Sequence, residues 1–444
     1  MNRSIDFLQA IHSLWERSVP EKVMMRARRS LLDYLAVTCA GVRFQQDKLA
    51  RYWAFLQPEE GKFRAIGMRQ DVALKEAVFL NGLNAHALDF DDGTNSGIIH
   101  LGSPIFSLLF PLAQRYDISL EDMLRAAVIG YETSYTLAVS IQPVHKALGY
   151  HATGTCGVIG ATVAAGYMLG FSEAERTRSF AAACMAASGM LKALDEGSEL
   201  KPYNVAKSSL LALTSLQLGK AGFQGPEDPL GGRGFLKMMT GREDTEIKEI
   251  LLGGTYAIEK SYTKPYASCR YTHPAVEAAI RLGKKIRAED VRQILVRTYG
   301  LAVPGHDHKD VAGSYSAKMS IPYAVAVAFL FGKAGLQEFE ESTIDNKSVK
   351  RLTSLVEVEE DEALSLVFPA VQAAIVTVST VQGEMTERVD YPKGEPENPL
   401  NETEFKERYD ALMEYGGVSA SVREEIFCLT GKKKTAAAAL VEKL

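Results

Sequence analysis

Cysteine is scarce in this chain and what there is lies scattered. Cys39, Cys156, Cys184, Cys269 and Cys428 are the five thiols of 444 residues, and no two form a C-x-x-C pair. That spacing speaks against a disulfide framework and against a zinc or iron–sulfur cradle, and it fits a reducing cytoplasm. Long apolar runs are missing too: none approaches the roughly 20 residues that a spanning helix needs. The opening MNRSIDFLQAIHSLWERSVPEK holds neither an apolar signal core nor a cleavage-like site. Basic blocks are absent until KKK at Lys432–Lys434, and the formal net charge is -5, so no nucleic-acid-binding face is expected. An acidic balance leaves room for an anionic small molecule, because a few buried cations suffice locally.

What is present is an ordinary globular composition, 46% hydrophobic and 24% charged. The length exceeds what one core supports, so two domains are expected. From Ser4 to about Leu252 the pattern is helical. In EKVMMRARRSLLDYLAVTCAG, Val23, Met24, Ala27, Leu31, Leu32 and Leu35 fall on one stripe, with the helix ending at Gly41. LKEAVFLNGLNAHALDF and SPIFSLLFPLAQRYD read the same way, and Ser119 with Asp122 caps a further helix. GTCGVIGATVAAGYMLG is rich in Gly and Ala and predicts a central buried helix that others approach closely. FSEAERTRSFAAACMAASGM and VAKSSLLALTSLQLGKAGF extend the array, with strand signals nearly absent. After Lys260 the style changes. VRQILVRTYG alternates like a strand, and AAIVTVSTVQGEMTERVDYP predicts two strands with a turn at Gln382–Gly383. Helical stretches HPAVEAAIRLGKKI, IPYAVAVAFLFG and VKRLTSLV lie between, PKGEPENPLN reads as a linker, and helices follow it. The expectation is a mainly α protein: an all-helical domain from residues 1–260 and 400–444, with a smaller α+β lid domain, 261–399, inserted.

Four stretches could carry chemistry. The first, His86–His100, reads HALDFDDGTNSGIIH. Counted from Asp89, the twelfth position of a calcium loop is His100 and not a carboxylate, so an EF-hand is rejected. Gly93, Thr94 and Asn95 after Asp92 do not complete a DDxxD diphosphate motif. One reading is a solvated acidic helix end. The other takes Asp89 as a carboxylate at the end of a buried helix, costly unless paired or useful, with a histidine returning eleven positions later as acid or base. The second stretch, GYHATGTCG, puts His151 before the small-residue helix. Its glycines make neither a dinucleotide fingerprint nor a P-loop, but the helix N-terminus could hold a carboxylate. The third, SELKPYNVAKSS, begins a helix at Lys201. The fourth, KSYTKPYASCRYTHP, crowds Lys264, Cys269 and Arg270 together, as a domain junction or as a cationic wall for an anion. HDHKD, His306–Asp310, reads as a polar loop, and no metal site is expected.

Taken in order, NGLNAHALDFDD, His100 with Pro104 after it, YHATGTCGVIGA, LKPYN, GFQGPEDPLGGRGF, KPYASCRYTHP, KMSIPYAVA and NPLNETEFKER resemble the MmgE/PrpD family over nearly the whole chain. That family includes 2-methylcitrate dehydratase, cis-aconitate decarboxylase and iminodisuccinate epimerase. The resemblance implies a helical domain plus a lid, usually in a homodimer, no metal or organic cofactor, and an active site in the cleft between the domains. It implies Asp89, His100, His151 and Lys264 as catalytic residues, and Lys201, Cys269, Thr94, Tyr203 and Arg270 as contacts of a small di- or tricarboxylate. Two departures stand out. The threonine that usually follows DFDD is displaced by Gly93 to Thr94, and the decarboxylase's third histidine falls at Cys269, as in the dehydratase and epimerase branches.

The implied chemistry has one demand. A proton leaves or reaches a carbon beside a carboxylate while charge builds on that carboxylate. Lysines would neutralise it, and Asp89, His100 and His151 would supply acid and base. The first expectation is therefore a cofactor-independent dehydratase of a 2-hydroxy polycarboxylate, similar to 2-methylcitrate dehydratase. The alternatives are an epimerase or a decarboxylase on a similar acid, and a non-catalytic polycarboxylate-binding protein. No nucleic-acid or membrane partner is expected, and the expected location is cytoplasmic.

Overall fold

A computed structural model describes residues 2–56, 59–193, 198–432 and 435–444. Of the terminal basic run, Lys433 and Lys434 lie outside the described residues. The chain divides into two units: one takes in Met1–Leu191, Leu200–Ser261 and Thr403–Leu444, the other Lys192–Glu199 and Tyr262–Glu402. Helix dominates throughout, so the fold is mainly α.

The first unit begins with α1 (Arg3–Trp15) and α2 (Glu21–Phe44). The predicted stripe on α2 is buried at every position named, as the 3.6-residue period requires. The helix runs three residues past Gly41. Glycine is there for proximity and not termination, because a Cβ at Gly41 would stand 2.0 Å from the carbonyl oxygen of Asn84. After α3 (Gln46–Phe55), a short antiparallel pair forms, β1 (Glu60–Arg64) with β2 (Asp71–Val72). This half is therefore not strand-free, although the pair is brief. Then come α4 (Leu74–Ala85), α5 (Gly102–Tyr116) and α6 (Leu120–Ile141). Ser119 Oγ accepts the Asp122 N–H at 3.1 Å, the predicted cap of α6.

The Gly/Ala-rich segment forms α7 (Ala152–Met168), buried at every residue from Ala152 to Tyr167. It packs on α5 and α6, and on α8 (Glu173–Ala186) and α9 (Lys201–Ala221). Side-chain volume is what these neighbours exclude. A Cβ at Gly160 would meet Ser134 Oγ at 1.9 Å and the Gly130 carbonyl at 2.6 Å.

The second unit carries a four-stranded sheet in the order β4-β3-β5-β6. Strand β3 (Val291–Thr298) is parallel to β4 (Val356–Glu360) and antiparallel to β5 (Ala374–Thr380), which pairs antiparallel with β6 (Gly383–Val389). Strand β4 escapes a hydropathy reading because VEVEE is mostly acid and only Val356 is buried. Thr380 pairs with Gly383, so the hairpin tip is Val381–Gln382 and Gly383, at φ 126°, opens the second strand. Helix α10 (His273–Gly283) packs on β5 and β6 and against α11 (Ile321–Phe331), which also meets α12 (Lys347–Ser354). The proline-rich stretch is not a plain linker. The Gly394 N–H donates to Asn398 O at 2.8 Å, and Gly394 O accepts from Thr263 N at 2.9 Å. The chain then returns to the first unit in α13 (Glu402–Tyr415) and α14 (Ala420–Thr430). Phe405, Tyr409 and Leu412 form the buried face of α13. Among the described residues no helix is long and apolar enough to cross a membrane.

The packing of α7 predicts opposite signs at two of its glycines. Gly160→Ala overfills the α6 contact and should cost about 1–3 kcal/mol. At Gly166 a Cβ would find nothing closer than the Arg176 side chain at 3.5 Å. Gly166→Ala should therefore be neutral or gain up to roughly 1 kcal/mol from helix propensity. Urea midpoints of the two variants check the pair, and a Gly160→Ala protein as stable as wild type would contradict the packing.

Candidate active site

Helix α4 stops at Ala85, and a turn over His86–Leu88 carries the chain to Asp89. Asp89 therefore stands beyond the helix end, in a left-handed conformation at φ 50° that costs a non-glycine residue free energy. The turn is held from the far end of the chain. On α13, Arg408 donates to the Phe90 carbonyl at 2.9 Å, lies over the Phe90 ring at 4.5 Å, and forms a buried ion pair with Asp33 of α2. Burial pushes the Asp33 carboxyl up, and Arg408 works against that rise.

The residues after Asp92 close a small hairpin. Thr94 and Ile99 pair, with the Thr94 N–H donating to Ile99 O at 2.9 Å, and Ile98 takes φ 49°. This loop brings His100 back beside the aspartates. His100 Nδ1 lies 2.8 Å from the Asp92 carbonyl oxygen and 3.2 Å from Asp91 Oδ1. A carbonyl only accepts, so Nδ1 carries a proton and Nε2 is the nitrogen turned to the rest of the cluster. Nε2 faces Asp89 Oδ1 at 3.7 Å. From the other side Lys201 Nζ donates to the same Asp89 oxygen at 2.6 Å. A lysine in the first turn of a helix opposes the helix dipole, so the sequence places Lys201 at the start of α9 against local preference.

Asp91 is the hub of the cluster. It accepts from His86 Nδ1 at 2.9 Å, from His100 and from Ser103 Oγ at 2.5 Å. Burial alone would raise its carboxyl, but His100 and His86 beside it hold it well below the usual carboxylate range. Burial lowers His86 to about 4 against the pull of Asp91, so near neutral pH it is uncharged, with its proton on Nδ1. His86 Nε2 has no hydrogen-bond partner among the described residues. Its ring centroid is 4.5 Å from that of His100 and 6.0 Å from that of His151. His151 precedes α7, and burial, then His86 and Lys201, lower it well below its ordinary value. Asp92 accepts from Tyr131 Oη at 2.6 Å and from Gly102 N at 2.9 Å, and burial outweighs both bonds to push it up to about 6.

Three buried imidazoles, a paired carboxylate and one ammonium thus share a small volume. His86, Asp89, Asp91 and His100 offer ligand atoms within 4.8 Å of one another, close enough for a cation. The donor set fits a metal poorly. Lys201 already bonds Asp89 Oδ1, so a metal ligated there would meet an ammonium.

The remaining candidates are placed differently. Thr94 is buried with its backbone in the hairpin, and its Oγ1 has no partner among the described residues. Tyr203 does not join the buried cluster. Two residues beyond Lys201 on a helix, it points about 200° around the axis, is half exposed, and packs edge-on against Phe79. In the second unit, Lys264 is buried on a loop tied down by the Thr263–Gly394 bond. Arg270 is buried in an ion pair with Glu395. Cys269 Sγ lies 3.5 Å from His306 Nε2, and His306 is the buried residue of the polar loop His306–Asp310. The motif reading omitted His86, Tyr131, Arg408 and His306. For His86 a signal existed, five residues before Asp91 in the same stretch; for the others only proximity in space reveals the role.

With this geometry in hand, comparison with known families finds the MmgE/PrpD N-terminal domain over residues 6–248 and the MmgE/PrpD C-terminal domain over residues 266–429. Cis-aconitate decarboxylase of Homo sapiens is 22% identical over 423 residues, covering 91% of this chain and 86% of that protein. Cis-aconitate decarboxylase of Mus musculus is 22% identical over 426 residues, covering 91% and 85%.

The buried neutral His86 makes stability depend on pH. Unfolded, it takes its proton near the ordinary 6.5; folded, only near about 4. Below 6.5 the unfolded chain binds the proton first, so stability falls as pH drops from 6.5 towards 4 and is flat above. His86→Asn keeps a donor toward Asp91 and does not titrate. Its loss of unfolding free energy between pH 7 and pH 5 should be smaller than wild type's by up to about 2 kcal/mol. Parallel urea titrations at the two pH values test this, and equal losses would sink the assignment.

Proposed function

Because the chain belongs to the MmgE/PrpD family, we propose that it is a cofactor-independent lyase that eliminates water from a small 2-hydroxy di- or tricarboxylate by acid–base catalysis. The observation that carries this reading is Asp89, held between Lys201 at 2.6 Å and His100 Nε2 at 3.7 Å in a buried cluster. A substrate carboxylate competes for the Lys201 ammonium. When Lys201 turns to the substrate, Asp89 loses its countercharge in a site with little water, and a buried carboxylate without a cation binds protons more avidly. Substrate binding thereby strengthens the base. His100 Nε2 and the neutral His151 supply the other proton-transfer positions, and Lys201 with Lys264 stabilises the charge that grows on the carboxylates. Asp91 holds His100 in the tautomer that presents Nε2, a role for a carboxylate that does not itself touch substrate. Cys269, Arg270 and Thr94 are assigned to substrate contact in this reading, and the enzyme works as a homodimer in the cytoplasm.

A second reading has a specific observation behind it: both named relatives are cis-aconitate decarboxylases. The same groups can deliver a proton to a carbon that has lost carbon dioxide, or reprotonate from the opposite face and epimerise. Cysteine at position 269, where the decarboxylase pattern has histidine, favours dehydration. Retention of the fold for binding alone is the third reading.

Proton NMR in deuterium oxide with citrate, 2-methylcitrate, cis-aconitate and iminodisuccinate-type acids separates them. A new olefinic signal from a hydroxy acid is the expected result. Conversion of cis-aconitate to itaconate would replace dehydration by decarboxylation, and deuterium incorporation without loss of water or carbon dioxide would replace it by epimerisation. Thermal stabilisation by a polycarboxylate without turnover would leave only binding. On the substrate that is turned over, Lys201→Met and His100→Gln should each lower kcat by about 100-fold or more. Unchanged kcat in both would remove these residues from the chemistry.

A further inference from the structure

The second unit holds a pair of reactive groups outside the cluster around Asp89. Cys269 Sγ lies 3.5 Å from His306 Nε2, and the two residues are 37 positions apart. His306 Nδ1 lies 3.1 Å from the carbonyl oxygen of Pro304. That oxygen can only accept, so Nδ1 carries the proton and Nε2 presents a lone pair to the sulfur. The bond is therefore S–H to imidazole, or the same bond after the proton has crossed. Both side chains are buried, at 8% and 5% exposure.

Both backbones are fixed by one segment. The Cys269 N–H donates to Lys318 O at 2.8 Å, and the Ile321 N–H donates to His306 O at 2.8 Å. The pair is thus held from both sides by the residues that lead into α11. Its surroundings are apolar: Tyr271, Tyr299, Ala302, Met319, Leu364 and Ala373 form the cluster that includes Cys269. The Tyr271 ring stands edge-on to His306 at 5.3 Å. Among titratable neighbours, Tyr271 and Tyr299 are raised by burial first and then by each other or by Cys269, so neither phenol competes for the proton near neutral pH. The Arg270–Glu395 ion pair and Lys318 are the charged groups alongside.

The bland alternative is a cysteine filling a core. A core needs no imidazole there, and an apolar side chain at 306 would avoid the cost of desolvating one. We propose that Cys269 and His306 form an acid–base pair in which His306 takes the Cys269 proton and returns it, making position 269 a proton donor and acceptor and not a passive contact. The step balances within the pair: the S–H bond breaks, the Nε2–H bond forms, and thiolate faces imidazolium. His306 acts only through Cys269 and is a positioning residue. The pair lies on the same loop as Lys264, five residues on. Its use in turnover rests on the lyase reading above, whereas its existence does not.

The test uses the full-length protein and iodoacetamide, with labelling of each cysteine followed by peptide mass spectrometry from pH 5.5 to 9.5. Exposed Cys428 is the internal control. Cys269 should label with a midpoint at least one pH unit below that of Cys428. In His306→Gln the midpoint should rise by about one unit, and labelling at pH 7 should slow about ten-fold. A wild-type midpoint at or above that of Cys428, or no labelling of Cys269 at any pH, overturns the pair even if the variant fails to fold. Identical profiles in wild type and a folded His306→Gln overturn it as well. Where a substrate is found, His306→Gln should lower kcat and shift its pH profile with KM little changed. If no substrate turns over, the lyase reading fails while the labelling still decides the pair.

Discussion

Four aspartates, Asp33, Asp89, Asp91 and Asp92, are buried in one helical unit, and their desolvation is the constraint around which that unit is arranged. An unpaired buried carboxylate costs several kcal/mol, so each must be met by donors from somewhere. They come from four helices: Arg408 from α13, Ser103 and Gly102 N from α5, Tyr131 from α6 and Lys201 from α9. The two histidines that complete the set belong to the turns on either side of the aspartates, His86 before and His100 after.

The same bonds fix chemistry as well as position. Because Asp91 and the Asp92 carbonyl take the Nδ1 protons of His86 and His100, both imidazoles present Nε2. Because Lys201 occupies one oxygen of Asp89, that carboxylate has its countercharge in the resting cluster, beside Asp91 and three imidazoles. An anionic ligand disturbs that balance at one point, the lysine. A site that binds carboxylates and moves protons needs this arrangement: a cation that can be shared, and bases whose strength depends on where that cation is.

Much of this was legible in the sequence, for physical reasons that differ by element. The stripe on α2 and the small-residue helix α7 declared themselves through periodicity and volume. Asp89, His100, His151 and Lys201 stood out because polar residues embedded in apolar helical text are costly. Partners distant in sequence did not stand out: Arg408 meets Asp33 across 375 positions, and no local pattern signals that. His86 was visible yet read as the flank of a motif, because a histidine's role depends on which oxygen its ring meets. Tyr203, placed by membership of a motif, lies half exposed against Phe79 and apart from the buried cluster. Strand β4 was missed because edge strands carry charge, and the proline-rich stretch looked like a linker because its hydrogen bonds run to Thr263, far back in the chain.

The reach of Arg408 also bears on how the protein comes into being. The turn that carries Asp89 lies in the first quarter of the chain, and the side chain that clasps its backbone lies among the last forty residues. A nascent chain emerging from the ribosome can assemble α2, α4 and α5 long before that guanidinium exists. Until then Asp33 lacks its ion-pair partner, and the left-handed residue at 89 lacks its outer support. The site is thus completed late, and a chain cut short before α13 would hold nearly every residue of the cluster without the clasp that shapes it.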